Sequence, residues 1–104
     1  MTAPTLTAEQ RQAALAAAAK ARKARAHMKE QLATGAMSIA DVLDLADQKD
    51  QMVIKTKVRD VLTALPKIGP VMASHIMADL EISTNRKVGG LGVRQRRDLL
   101  ARFS

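Results

Sequence analysis

The chain has 104 residues, no cysteine and a net charge of +7. That length is one small domain with a single modest core. Without cysteine, neither a disulfide scaffold nor a thiolate metal site can be built, which fits a reducing compartment.

With no Trp, no Tyr and one Phe, packing falls to Leu, Ile, Val, Met and Ala, with methionines filling gaps. The same shortage leaves no aromatic platform for stacking single-stranded bases. The alanine run over residues 13–19 follows Glu9 and Arg11 and continues into Lys20, Arg22 and Lys23. Those are the wrong flanks for an export signal, and no stretch approaches the roughly 20 apolar residues of a membrane span. The expected location is the cytoplasm.

The first helix is expected to start at Thr7, with Gln10 three residues on completing a capping box, and to stop near Thr34 with Gly35 as its C-cap. Its apolar stripe is thin, with Leu15, Met28 and Leu32 the only large members. At about 100° per residue, Arg11, Arg22, Arg25 and Lys29 share one side. Residues 10–29 carry no acid. This segment reads either as a solvated helix or as a basic arm laid along a phosphate backbone. Residues 1–35 are accordingly taken as an arm and 36–104 as the domain proper.

A second helix follows from Ser38, with Asp41 at its third position and Ile39, Val42, Leu43 and Ala46 as a core stripe. Its acids, with Asp50, make the middle of the chain negative; they read as solvent-facing, and no metal site is expected. Residues 47–54 have no clear element. The same spacing recurs at Val58, Val61, Leu62 and Leu65, and Pro66 ends that helix. A further helix runs from Pro70 to about Leu80, with Met72, Ala73, Ile76, Met77 and Leu80 inward. The last spans about Val93 to Phe103, with Leu99, Leu100 and Phe103 inward. No strand pattern or repeat is visible, so the fold class is all-α.

Two segments carry the functional signal. Leu65-Pro-Lys-Ile-Gly-Pro70 looks like a helix-hairpin-helix turn, whose free amides at a helix start hold phosphates whatever the bases. Pro70 suits the first helical position. Gly69 is expected to make a turn that a Cβ would hinder and to let a ligand approach; Lys67 supplies charge. The second segment runs from Ser83 through Asn85, Arg86 and Lys87 to Gly89, Gly90 and Gly92. It then enters the last helix at Arg94, Arg96 and Arg97. A helix start disfavours cations, so three arginines there call for an outside anion. The competing reading is a structural glycine turn with solvated arginines. Charge that returns at Lys55, Lys57 and Arg59 and peaks over residues 86–102 favours a polyanionic partner.

The chain resembles the actinobacterial-type integration host factor family. The resemblance rests on the Ala/Lys/Arg-rich first helix, residues 65–69, residues 76–82 and Gly90-Leu-Gly-Val-Arg-Gln-Arg-Arg-Asp-Leu-Leu-Ala-Arg-Phe103. It implies a helix-two-turns-helix core that binds double-stranded DNA mainly by its backbone and compacts or bends it in the nucleoid. It also implies a phage integrase acting on that DNA as a further partner, and a protein that works as a monomer. In that family a basic cluster before the Gly-Leu-Gly turn contacts DNA; Arg86 and Lys87 match it, whereas Gly89 stands where relatives carry another basic residue.

Three rivals compete with this reading. A ribosomal protein with the same helical core would bind RNA, but would be expected to carry a long basic tail where Ser104 here follows directly on Phe103. A helix-hairpin-helix glycosylase needs a Lys just past the hairpin glycine and an acid well beyond it. Pro70, Val71 and Met72 hold the first place, and no acid lies between Glu81 and Asp98. The third rival is a plain helical interaction module. His27 and His75 are isolated, so no catalytic residue and no cofactor is expected. Asn85 and Gln95 are too few for sequence-specific base reading.

Overall fold

The computed structural model describes residues 7–103; the first six residues of the expected arm and Ser104 lie outside them. The elements are α1 (Ala8–Thr34), α2 (Ile39–Asp47), α3 (Gln51–Lys55), α4 (Val58–Ala64), α5 (Pro70–Asp79), a 3-10 turn (Val88–Gly90) and α6 (Val93–Arg102). The all-α expectation holds.

The expected caps form. Thr7 Oγ1 accepts from the Gln10 N–H and Gln10 Oε1 from the Thr7 N–H; Ser38 and Asp41 make the same reciprocal pair at α2. Gly35 closes α1 in the left-handed region, φ 84°. Helices α2 and α5 end instead in Schellman turns in which Lys49 (φ 66°) and Glu81 (φ 57°) take the left-handed place usually given to glycine. In the second, the Ile82 N–H reaches back to the Met77 carbonyl at 2.7 Å.

Where the sequence offers no clear element, the chain forms α3. Asp50 caps it by accepting from the Val53 N–H, and Val53 is fully buried. Five residues are too few to show a period. Its last turn is held by Thr56 Oγ1, which donates to the Met52 carbonyl at 2.7 Å.

The core draws Met28 and Leu32 from α1, Val42 and Leu43 from α2, Val58, Val61 and Leu62 from α4, Ile76 and Met77 from α5, and Leu99 from α6. Two residues expected in apolar stripes are outside it. Leu15 is 60% exposed and Met72 is 47% exposed. The buried residues of α1, Met28 and Leu32, thus lie in its C-terminal third. The rest projects, and it lengthens the molecule to 52 Å against 31 and 27 Å in the other directions.

The 65–70 turn differs from expectation. Leu65 is extended (ψ 147°), as a residue before proline must be. Lys67 lies at φ 67° and the Ile68 N–H donates back to the Leu65 carbonyl. Pro second, a left-handed third residue and that closing bond define a type II turn. Gly69 is ordinary extended backbone at φ −88°, and a Cβ added there meets nothing within 4 Å. The residue that strains this turn is Lys67, not Gly69.

Two outcomes follow from this packing. Leu32→Ala should cost about 2–5 kcal/mol in chemical denaturation, and Leu15→Ala no more than about 0.5 kcal/mol; equal costs would mean that α1 packs along its whole length. Gly69→Ser should fold as stably as the parent, since Ser is a preferred N-cap. Lys67→Gly should gain on the order of 1 kcal/mol by releasing the left-handed backbone.

Candidate nucleic-acid interface

The segment before the glycine turn is fixed by backbone pairing. The Val58 N–H donates to the Arg86 carbonyl, and the Val88 N–H donates to the Thr56 carbonyl, both at 2.9 Å. These two bonds flank Lys57 and Lys87, which face each other as an isolated antiparallel bridge. In such a non-hydrogen-bonded pair the side chains start only about 4.5–5.5 Å apart, and like charges there repel. Lys57 and Lys87 are both exposed.

A shallow cleft of about 420 Å3 opens beside this bridge. Asn85, Arg86, Lys87 and Gly90 line it from one side, Ile54 and Lys55 from the other. A second cleft continues past Lys55 and Lys57 to Arg59 and Arg25, and a third from Arg59 to Pro70 and His75. Lys55 and Arg59, each shared by two clefts, join them into one basic band. Lys55, Lys57 and Arg59 are thus candidate residues that sequence reasoning left out of the site. Their charge is plain in the sequence, but only the pairing of 56–58 with 86–88 brings Lys55 to the cleft that Arg86 lines and sets Lys57 opposite Lys87.

The glycine turn works differently from expectation. None of Gly89, Gly90 and Gly92 has a positive φ. A Cβ on Gly89 would run into the Ile54 side chain, and one on Gly90 would come 3.1 Å from Arg86 Cδ. The room they leave is taken up largely by the protein itself. The Arg86 guanidinium folds back to donate to the Gly90 carbonyl at 3.3 Å. The Gly92 N–H donates to Gln95 Oε1, whose amide donates on to the Glu81 carbonyl. Gln95 therefore braces the start of α6.

The three arginines of α6 part company. Arg96 forks onto Asp47 of α2 with bonds of 2.7 and 2.8 Å. The hydrogen bond from Arg96, with its charge beside it, holds the Asp47 carboxyl below its ordinary value. Arg94 and Arg97 both approach Asp98, at 3.8 and 3.3 Å, and remain about three-quarters exposed. The misfit between arginines and a helix start is thus met within the protein for Arg96 and loosely for the other two. Lys67 and Gly69 sit at the exposed α4–α5 turn, Arg22 is exposed on α1, and Lys29 is half-buried there; none of these lines the three clefts. Among the described residues, no His, Cys, Asp and Glu group is placed to hold a metal, and no helix is long and apolar enough to cross a membrane.

A domain of short helices that presents a basic band around two backbone turns belongs to the helix-two-turns-helix class. The S13-like H2TH domain model matches residues 32–103. Integration host factors of Mycobacterium tuberculosis and Mycolicibacterium smegmatis are each 48% identical over 99% of this chain and 97% of their own. That of Streptomyces coelicolor is 43% identical over 91% of this chain and 88% of its own. A solved structure of sIHF bound to an 8bp palindromic DNA superposes with a TM-score of 0.80 at 38% identity, covering 84% of this chain and 97% of that one. The chain belongs to the actinobacterial-type integration host factor family.

The Arg96–Asp47 link should appear in the pH dependence of stability. Because the folded carboxyl is acidified, the pair stabilises above the unfolded carboxylate pKa of about 4. That contribution is lost as pH falls through the lower folded value. Asp47→Asn should therefore lower Tm slightly at pH 7 and flatten the loss of Tm on acidification. An unchanged acid profile would mean that the pair does not hold in solution.

Proposed function

We propose that this protein is an architectural, nucleoid-associated DNA-binding protein. It grips duplex DNA by the phosphate backbone with little regard to sequence, and bends or compacts it. The observation that carries this reading is the Lys57–Lys87 bridge. Backbone hydrogen bonds set two exposed lysines opposite each other between Lys55 and Arg86, a run of cations that suits a close-spaced polyanion. Family membership and the DNA-bound neighbour support the same choice.

In this reading Lys55, Lys57, Arg59, Arg86 and Lys87 contact successive phosphates. Asn85, Gly90 and Gly92 border the path of the duplex, and Lys67 and Gly69 touch it at the hairpin. Arg94 and Arg97 flank the path, Arg96 positions α6, and Arg22, Arg25 and Lys29 carry the contact onto the arm of residues 1–35. One monomer then meets DNA on two elements that diverge, which favours a bent duplex over a straight one. A phage integrase working on that bent DNA is the further partner, and no catalytic step is assigned.

Binding should fall steeply with salt. Each phosphate contact contributes a slope of about −0.9 in log K against log salt, so the five of the central band alone give about −4.5. The double variant Lys57→Gln/Lys87→Gln should lose about 1.8 of that slope while its Tm stays level or rises, since the repulsion is gone. Titrations against duplex DNA, single-stranded DNA and structured RNA test the class of partner. A preference for RNA, or a slope near zero, would overturn the reading.

A further inference from the structure

The loop between α5 and α6 is closed at its neck by one side chain. Gln95 is half-buried in the first turn of α6. Its Oε1 accepts from the Gly92 N–H and its Nε2 donates to the Glu81 carbonyl, both at 2.9 Å. Glu81 is the left-handed residue that follows the C-cap of α5, and Gly92 is the N-cap of α6. Both ends of the segment 82–91 are thus gathered onto one carboxamide. A surface loop of this length with its ends drawn together is an Ω-loop, a form that often carries function.

The two halves of this loop are held unequally. Ile82 and Val88 are buried, and the backbone pairing with residues 56–58 fixes 86–88. Beyond Val88 come Gly89, Gly90 and Gly92, and glycine loses more backbone freedom on folding than any other residue. Among the described residues, 89–91 make backbone hydrogen bonds only within their own 3-10 turn. What ties this half to α5 is the Gln95 amide. The place needs a group that accepts and donates at once, which a carboxamide does. Glu would only accept, Lys or Arg would only donate, and Asn is one methylene shorter.

We infer that Gln95 is the positioning residue of the loop that carries Asn85, Arg86 and Lys87: by clamping the neck, it sets those side chains in their binding arrangement before DNA arrives. The inference rests on the duplex-binding reading above. Gln95 is neutral and its carboxamide is spent within the chain, so it acts through the loop and touches no phosphate. With the clamp cut, the glycines regain freedom that binding must then remove. Affinity falls, while the number of phosphates met, and with it the salt slope, stays the same.

The test uses the full chain with Gln95→Met, which loses both bonds, and Gln95→Glu, which keeps the bond from Gly92 and loses the one to Glu81. Lys87→Gln is the reference for a phosphate contact. Each is titrated with a 20-base-pair duplex over a salt series well below its Tm, and amide hydrogen exchange is followed without DNA. Gln95→Met should bind about fivefold more weakly with the parent's slope, whereas Lys87→Gln should lose about 0.9 of slope. Exchange over residues 83–92 should quicken in both Gln95 variants by more than it does in α2 and α4. Extrapolated to 1 M salt, where the added charge is screened, Gln95→Glu should show the same loss as Gln95→Met.

Parent affinity for Gln95→Met, or a loss of slope like that of Lys87→Gln, would overturn the inference and leave the duplex-binding reading standing. Unchanged exchange over 83–92 would overturn it as well. So would parent affinity for Gln95→Glu at 1 M salt, since the Gly92 bond alone would then suffice. A salt-insensitive parent would overturn both the inference and the reading beneath it.

Discussion

Two backbone hydrogen bonds, Val58 to Arg86 and Val88 to Thr56, hold together parts of the chain that are 30 residues apart and otherwise belong to different helices. They seat the 3-10 turn against α3, bury Val88 and fix the direction from which the chain enters α6. The same bonds decide the electrostatics. Once 56–58 lies beside 86–88, Lys57 must face Lys87, and Lys55 and Arg86 must border one cleft. The positive band is thus a consequence of how the loop is closed, which sets two exposed lysines opposite each other.

On the far side of the loop the protein takes the opposite course. Arg96 is neutralised internally by Asp47, which ties α6 to α2 and turns the acidic middle of the sequence into a structural partner. Arg102 pairs with Asp79 of α5 in the same manner. Acids are spent where helices must be held together, whereas on the face that carries the Lys57–Lys87 bridge Lys55, Lys57 and Arg59 outnumber Asp60. A net charge of +7 is therefore less informative than its sorting. These pairs are largely exposed and each contributes little to stability, but they remove arginines from the competition for an outside anion.

The long elements were legible because each repeats its apolar residues at helical spacing and begins or ends on a recognisable cap. Thr7 with Gln10, Ser38 with Asp41, and Pro66 all do locally what their chemistry dictates. Three things were not legible. α3 is a single turn held by Asp50 and Val53, too short to show a period. The strain in the hairpin sits on Lys67, because Pro66 sets the turn type and the third place then takes a positive φ whatever residue is there. The share of Lys55, Lys57 and Arg59 in the basic band depends on a pairing across 30 residues that no local pattern announces. The resemblance to a family pointed to Arg86 and Lys87, yet it carried no information about what faces them.

The first helix shows how weak packing leaves a cationic edge open. On a helical wheel, Arg25 and Lys29 border the stripe of Met28 and Leu32 that enters the core, at about 100° per residue. Arg11 and Arg22 continue the same side beyond the last buried contact. The anchored third thus sets the direction of a cationic edge, while the projecting part contributes charge without adding core. An alanine-rich helix suits that role, because high intrinsic propensity keeps it wound where no tertiary contact does. Were the free part to carry a full apolar stripe, it would fold back on the body or onto another copy, and the cationic edge would be buried with it. The thin stripe that makes this helix look marginal in sequence is what keeps its basic side open.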